Sequence, residues 1–354
     1  MELLEYMKNG GYEQVVTCFE PSTNLRAFIV IHDTTLGPAC GGVRVWPHKT
    51  EEIGLMDVLR LAKAMTYKSA VAGLPLGGGK ALILADPNEE KDEQLLRAFG
   101  QYVDTLGGRY LATEDVGMTP LDLEYIAKET DYVVGLPESL GGSGDTSPLT
   151  GLGVYLGMKA CAKSVWNSDN LEGRTVAMQG FGKVGKFTAE HLIAEGVNLV
   201  VTDINENVLA EARSMGAKTT TLEEIYDVKC DIFSPCALGG VLNSDTIPRL
   251  NCAIVAGGAN NQLLAGKNGE ELSKAGILYA PDYVINAGGI INASCELDGV
   301  YRKEQAEHMA QGIYDTTSNV INISKKDQIP THVAADKLAE SRLNKMRAMK
   351  KLYR

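Results

Sequence analysis

No stretch of the 354-residue sequence is apolar for long enough to span a bilayer, and no segment is repetitive or low in complexity. Basic clusters are also missing. The 34 Lys and Arg stand against 45 Asp and Glu, a formal net charge of −11, which speaks against a nucleic-acid surface and for solubility. The seven cysteines, at 18, 40, 161, 230, 236, 252 and 295, are odd in number and form no C-x-x-C or His/Cys cluster. Neither a disulfide framework nor a zinc or other metal site is expected, and the reducing cytoplasm is the expected compartment. The opening residues, Met1 to Tyr6, lack the basic-then-apolar order of a signal peptide. None of the five histidines, at 32, 48, 191, 308 and 332, stands in a motif that would make it a catalytic base. What is present, 44% hydrophobic and 22% charged residues, suits a globular enzyme, and the length calls for two domains.

The segment that organises the chain is Gly73-Leu-Pro-Leu-Gly-Gly-Gly-Lys80. Three consecutive glycines suit a place where backbone turns tightly or passes close to a ligand. Lys80 then opens an apolar run, 81–85, read as a buried strand stopped by Asp86-Pro87. This places Lys80 at the mouth of the strand, among groups too small to cover it. Lys68 lies twelve residues upstream, at the end of a helical pattern, so two cations beside a glycine loop suggest a site for a small anion. A phosphate-binding P-loop fails on spacing and on Ala81, which stands where a hydroxyl is needed. A tight turn with a surface lysine is the simpler alternative.

The first part of the chain mixes strands and helices. Residues 27–31 read as a strand, and apolar spacing predicts helices over 53–67 and about 95–106. Residues 110–117 read as a strand running into an acidic turn. Thr119-Pro120-Leu121-Asp122 has the form of a helix start, which leaves Asp115 in a strand-to-helix loop. The Gly-rich segment 135–144 is the expected linker, and Pro148 and Thr150 open the helix after it. The expected division is a substrate-binding and oligomerisation domain of residues 1–135 plus about 325–354, and a nucleotide-binding domain of residues 136–324.

The second domain opens with a strand, 174–179. Gly180-Phe181-Gly182-Lys183-Val184-Gly185 and a helix follow it. The next strand, 197–202, ends on Asp203, 23 residues after Gly180. This context makes the glycine motif a dinucleotide-binding fingerprint, with pyrophosphate on the helix N-terminus. Asp203 would accept hydrogen bonds from ribose hydroxyls and repel a 2′-phosphate, which favours NAD over NADP. Further strands are expected at 230–234, 252–256 and 277–279. The turns after them, with Cys236-Ala237 in one and Asn261 in the other, are expected to face the cofactor. The fold class is therefore α/β, with two domains separated by a cleft, one of them Rossmann-type. A hydride acceptor on one wall and Lys80 and Asp115 on the other would suit oxidation at a carbon bearing an amine or hydroxyl.

Taken together, residues 35–39 (TLGPA), 65–68 (MTYK), 77–80 (GGGK), 114–117 (EDVG), 230–237 (CDIFSPCA), 259–263 (ANNQL) and 279–289 (YAPDYVINAGG) resemble the amino acid dehydrogenase superfamily of glutamate, leucine, valine and phenylalanine dehydrogenases. The similarity is greatest to the leucine dehydrogenases and runs over nearly the whole chain. It implies reversible NAD-dependent oxidative deamination of an L-amino acid to a 2-oxo acid and ammonia. It further implies that Lys68 binds the substrate carboxylate in a pocket lined by Gly41 and Gly42, and that Lys80 is the general base that activates water. Asp115 would assist proton transfer at the amino nitrogen. Thr150 and Asn261 would hold the nicotinamide carboxamide and help to position substrate. It also implies a homo-oligomer, with an octamer expected.

The same resemblance bears on specificity. Glutamate dehydrogenases carry a lysine at the position of Cys40 and a serine at that of Ala293, so a glutamate side chain would leave a buried charge unpaired here. The pocket implied by Cys40, Thr113, Val134, Ile290 and Ala293 is apolar. Against the leucine dehydrogenase pattern, Cys40 and Ala293 enlarge it and Thr113 narrows it. Leucine, valine and isoleucine are the expected substrates, with phenylalanine or tryptophan as the alternative within the superfamily. A non-catalytic NAD-binding sensor is the alternative from another class.

Overall fold

A computed structural model describes residues 2–297 and 299–350. The chain divides into two compact units: Met1–Asp145, Ala293–Arg302 and Ala339–Arg354 form the first, and Thr146–Asn292 and Lys303–Leu338 the second. Residues 136–145 and 293–302 thus group with the first unit and residues 325–338 with the second. All three assignments differ from those expected from sequence. Segment 136–145 is tied by the backbone bonds Gly144 N to Leu136 O and Gly142 N to Pro137 O, which close it on itself before the next helix starts.

The first unit holds a five-stranded mixed sheet of β1 (Gln14–Glu20), β2 (Leu25–Asp33), β3 (Ala39–Val45), β4 (Gly77–Ile83) and β5 (Tyr110–Glu114), in the order β1-β2-β4-β3-β5. β2 is antiparallel to both neighbours, whereas β3 runs parallel to β4 and β5. Its helices are α1 (Leu3–Gly10), α2 (Glu51–Val71), α3 (Glu93–Asp104) and α4 (Pro120–Ala127). Their starts follow local chemistry. Thr50 caps α2, with Glu51 and Glu52 in the first turn. Asp92 caps α3, and Thr119 with Asp122 forms a reciprocal capping box on α4 behind Pro120. Strand alternation splits the core. Ile29, Ile31, Val43, Ala81 and Tyr110 pack with α3 and α4 on one face, and Phe28, Val30 and Leu82 pack with α2 on the other.

The glycine triplet is not a turn. It is the start of β4, a fully buried strand. A β-carbon on Gly77 would lie 2.1 Å from Asp33 O, one on Gly78 2.1 Å from Thr66 N, and one on Gly79 2.8 Å from the Tyr110 ring. The glycines serve close backbone approach inside the sheet and against α2, not a left-handed turn. Lys80 is correspondingly a mid-strand residue, and only 6% of it is exposed.

The second unit holds a six-stranded parallel sheet of β6 (Thr175–Gln179), β7 (Asn198–Thr202), β8 (Lys218–Thr219), β9 (Ile232–Pro235), β10 (Ile254–Val255) and β11 (Leu278–Tyr279), in the order β11-β10-β9-β6-β7-β8. Read from β8, this is the 3-2-1-4-5-6 order of a Rossmann fold, with its switch point between β6 and β9. The remaining helices are α5 (Ser147–Trp166), α6 (Lys183–Ala194), α7 (Glu206–Ser214), α8 (Gly266–Lys274), α9 (Asp282–Ile285), α10 (Gly288–Ser294), α11 (Lys303–Asp327) and α12 (Thr331–Lys350). Ala177, Phe233, Val255, Leu272 and Tyr279 anchor this unit's core. Among the described residues, no helix is long and apolar enough to cross a membrane.

Candidate active site

In the first unit, register and alternation put one set of side chains on the face of the sheet that carries α2. β3 and β4 pair Cys40 with Gly78 and Arg44 with Leu82, and β3 and β5 pair Cys40 with Leu111 and Gly42 with Thr113. Cys40, Gly42 and Arg44 therefore share a face with Gly78, Lys80 and Thr113. Asp115 follows β5 at once. Its Oδ2 lies 2.9 Å from Lys80 Nζ. Gly42 makes the room: a β-carbon there would stand 2.6 Å from Asp115 Cβ and 3.0 Å from Lys80 Nζ. Gly41 lies on the other side of the strand, where its carbonyl accepts the Tyr110 hydroxyl at 2.6 Å. A β-carbon on Gly41 would meet Gly79 O at 1.8 Å, so packing alone demands glycine.

Burial pushes the Asp115 carboxyl up, but the ammonium of Lys80 and the guanidinium of Arg44 outweigh it and hold the group below the usual carboxylate range. Arg44 Nε donates to the same Oδ2 at 2.9 Å, and its Nη1 reaches Asp57 Oδ2 of α2 at 2.9 Å. Neither Arg44 nor Asp57 is apparent in the sequence. The available signal is that Arg44 lies two residues beyond Gly42, but β3 with its paired glycines does not read as a strand.

Lys68 sits in the last turn of α2, two residues after Thr66, whose backbone is pressed against Gly78. The carbonyls of Ser69 and Ala70 beyond it accept Arg342 Nη1 of α12 at 3.2 and 2.9 Å, which fixes this helix end. Cys40, Val134 and Ala293 are buried. Burial and the Glu296 carboxylate, opposed by Lys80, push the Cys40 thiol up to about 12, so it is a neutral, compact apolar group. Val134 N donates to Ala112 O at 2.9 Å, and Thr113 Oγ1 would lie 2.8 Å from a β-carbon on Gly135. Glu296 accepts from Gly135 N at 2.9 and 3.1 Å and from Ser143 N at 2.7 Å. It is a third residue that the sequence reading misses.

In the second unit, the fingerprint lies at the carboxyl end of β6. Gly180 has φ +95°, and its N–H donates to Thr202 O at 2.8 Å. A β-carbon on Gly180 would lie 2.7 Å from Ala237 N, and one on Gly185 2.6 Å from Gly180 O. Gly182 differs, because nothing lies within 4 Å of its missing β-carbon. It caps α6 without a side-chain partner, beside the exposed Lys183 and ahead of the partly buried Val184. Open space over uncapped amides is what a pyrophosphate needs, so these residues fit a dinucleotide. Asp203, just past β7, accepts from Phe181 N at 2.7 Å and Asn205 N at 2.9 Å. Across the switch point, Cys236 N donates to Gln179 O at 2.7 Å, and Cys236 Sγ accepts from Gly258 N at 3.3 Å. Asn261, exposed and left-handed at φ 53°, follows the same edge, and its carbonyl accepts Gly240 N at 2.8 Å. Thr150 and Ile290 are both buried, and Thr150 Oγ1 would lie 3.3 Å from a β-carbon on Gly289.

Residues 13–132 match the model of the Glu/Leu/Phe/Val dehydrogenase, dimerisation domain, and residues 141–212 and 200–351 match that of the Glutamate/Leucine/Phenylalanine/Valine dehydrogenase. The chain belongs to this dehydrogenase family. It is an amino acid dehydrogenase, and the resemblance read from its motifs holds. The dehydrogenase is 52% identical to the leucine dehydrogenase of Geobacillus stearothermophilus over 98% of this chain and 95% of that one. It is 47% identical to the L-tryptophan dehydrogenase of Nostoc punctiforme over 99% of this chain and 98% of that one. The crystal structure of the L-tryptophan dehydrogenase from Nostoc punctiforme aligns with a TM-score of 0.86 at 46% identity, covering 98% of this chain and 99% of that one. The expected α/β class with a Rossmann-type domain is thereby met.

Proposed function

We propose that this dehydrogenase carries out reversible oxidative deamination of an apolar L-amino acid, with leucine, valine and isoleucine preferred, using NAD. The observation that carries this reading is the 2.9 Å pair of the buried Lys80 and the partly exposed Asp115 beside the side-chain-free Gly42. Glycine at 42 is what lets the ammonium and the carboxylate stand together against β3, with Lys80 held in mid-strand where solvent scarcely reaches it.

Lys68, in the last turn of α2, binds the substrate carboxylate, with the backbone at Gly41 and Gly42 forming the floor. Asp115 takes a proton from the substrate ammonium, which leaves a neutral amine. NAD, when bound, accepts the hydride from the substrate α-carbon, and the substrate becomes an iminium. Lys80 in its neutral form removes a proton from water, whose oxygen then bonds to the iminium carbon. Lys80 passes that proton to solvent, Asp115 returns its own to the nitrogen, and the carbon–nitrogen bond breaks as Lys80 takes the remaining hydroxyl proton, giving ammonia and the 2-oxo acid. Lys80 releases this proton to solvent too. Asp115 thus carries one proton out and back, and Lys80 removes the two protons of water in turn.

Thr150, Asn261, Cys236, Ala237, Asp203 and residues 180–185 are the cofactor side of the reading. Asp203 is held by two amides where ribose hydroxyls would be read. Cys40, Thr113, Val134, Ile290 and Ala293 are the side-chain pocket. The units follow the same roles: the first binds substrate and assembles the oligomer, and the second binds NAD. The match of residues 13–132 to a dimerisation domain supports self-association. An octamer is the proposed assembly and the cytoplasm the proposed location.

The test is NADH formation at alkaline pH from leucine, valine, isoleucine, phenylalanine, tryptophan and glutamate, with NAD and with NADP. Turnover of the branched aliphatic acids with NAD supports the reading. Preference for phenylalanine or tryptophan would favour the second reading, which the 47% identity to a tryptophan dehydrogenase supports. NAD binding without turnover would favour a sensor.

A further inference from the structure

Asp115 Oδ2 receives two cations, Lys80 Nζ and Arg44 Nε, each at 2.9 Å. Among the described residues, no other side chain or amide reaches Oδ1, which leaves that oxygen for a substrate amine. The two cations differ in kind. Lys80 must lose its proton in every turnover, but a guanidinium never does. When Lys80 is neutral, Asp115 remains in a largely desolvated position, 18% exposed at its side chain, with one full charge beside it. Without that charge, the carboxylate and the amine would share a single proton, and neither could act as a separate acid or base.

Arg44 is itself held. Its Nη1 meets Asp57 Oδ2 at 2.9 Å, and Asp57 is also approached by Arg60 Nη2 at 3.4 Å and by His48 Nε2 at 3.4 Å. The fork of Arg44 therefore bridges two carboxylates from two elements. Lysine, as a point charge, can contact both only loosely. The groups facing Asp115 are Arg44 from β3 and Lys80 from β4; Tyr110 of β5, whose hydroxyl burial keeps protonated, lies on the opposite face of the sheet.

We propose that Arg44, anchored by Asp57, is a positioning residue that keeps Asp115 ionised and aimed while Lys80 gives up and regains its proton. Arg44 touches no reacting atom. It separates the proton traffic of the two groups that do. The inference rests on the deamination reading above.

The experiment is the pH profile of kcat/KM for leucine with NAD, from pH 6 to 11, for the wild type, Arg44→Gln, Arg44→Lys and Asp57→Asn, with thermal melts of each. In Arg44→Gln the acid limb moves up by about one pH unit or more, since loss of a cation beside the coupled Asp115 and Lys80 favours the protonated form of the pair. At the plateau, kcat falls more than KM rises. Arg44→Lys recovers part of the limb, and Asp57→Asn shifts it in the same direction by less. If Arg44→Gln does not fold, Asp57→Asn carries the test, since it leaves Lys80, Asp115 and Arg44 in place. A profile that keeps its limb while the whole curve drops uniformly would show a merely structural Arg44 and overturn the inference. Absence of leucine-dependent NADH in the wild type would instead sink the deamination reading, and the inference with it.

Discussion

A β-carbon on Gly78 would stand 2.1 Å from the backbone nitrogen of Thr66, so strand β4 and helix α2 meet without a side chain between them. Backbone cannot swing aside as the end of a long side chain can. Gly78→Ala must push α2 away from the sheet, and Lys68 lies two residues along that helix. The expected loss exceeds the ~1–3 kcal/mol usual for overpacking, and any folded product should show a raised KM for the amino acid. Gly73→Ala is the contrast. Gly73 has φ +77° with nothing within 4 Å of its missing β-carbon, so only backbone strain of ~1–2 kcal/mol is expected. Thermal melts compare the two, and equal losses would refute the argument.

Glu296 carries more weight than an exposed carboxylate would. It accepts the amides of Gly135 and Ser143, and Gly135 abuts Thr113. Glu296→Ala leaves those amides without their acceptor, a loss of ~1.5–3 kcal/mol for hydrogen bonds to a charged group. Because Val134 and Thr113 would loosen together, KM for leucine should rise about tenfold, roughly 1.4 kcal/mol of binding, with kcat changed less. Glu296→Gln keeps one oxygen and should fall between. Steady-state kinetics with leucine decide the point, and a fall in kcat at constant KM would contradict it.

Acid should unfold the protein through its histidines before its carboxylates. His32 is buried, with Nδ1 2.8 Å from Thr66 Oγ1 and Nε2 3.1 Å from Gly10 O. The carbonyl can only accept, so Nε2 carries the proton and Nδ1 takes the hydroxyl's. Burial holds His32 below the usual histidine range, and does the same for His191 and His332. The unfolded chain therefore takes up protons from about pH 6.5 downward that the fold refuses. Stability is full above that pH and is lost as pH falls toward the folded values. Melting temperature should be flat from pH 8 to 7 and decline from 6.5 to 5, with a shallower decline in His32→Gln. An unchanged slope in that variant would remove His32 from the account.

Legibility in the sequence followed the range of the forces involved. The fingerprint of residues 180–185 with Asp203, and the capped start of α4 at Thr119, are local chemistry, and they stand where the sequence places them. β1 and β3 escape notice. β3 carries Gly41-Gly42 in its centre, and its strand character comes from neighbours: a β-carbon at Gly41 would lie 1.8 Å from Gly79 O of β4. The triplet at 77–79 reads as a turn for the same reason, since glycine composition signals close approach without saying to what. Arg44 meets Asp115 across 71 residues and Asp57 across 13, and no spacing rule connects them. Lys80 and Asp115 are set on the same wall by their loops and chemistry, but their direct contact at 2.9 Å is visible only in the fold.

Cofactor choice should turn on Asp203. Both of its oxygens are held by amides, Phe181 N at 2.7 Å and Asn205 N at 2.9 Å, so the carboxylate cannot swing away from a larger ligand. A 2′-phosphate placed there would meet a fixed negative charge, and no cation stands in the segment Asp203 to Asn207 to receive it. Asp203→Ser removes the repulsion and the acceptor for ribose hydroxyls together. The NAD-over-NADP ratio of kcat/KM should fall about 100-fold, equivalent to roughly 2.7 kcal/mol, and most of the fall should come from weaker NAD. Ile204 next to it is 88% exposed, so Ile204→Arg can be added without disturbing the core. In the double variant a guanidinium becomes available to a phosphate, and the preference should invert through a gain with NADP. If Asp203→Ser alone keeps the wild-type ratio, discrimination lies in the glycine loop and not in this carboxylate.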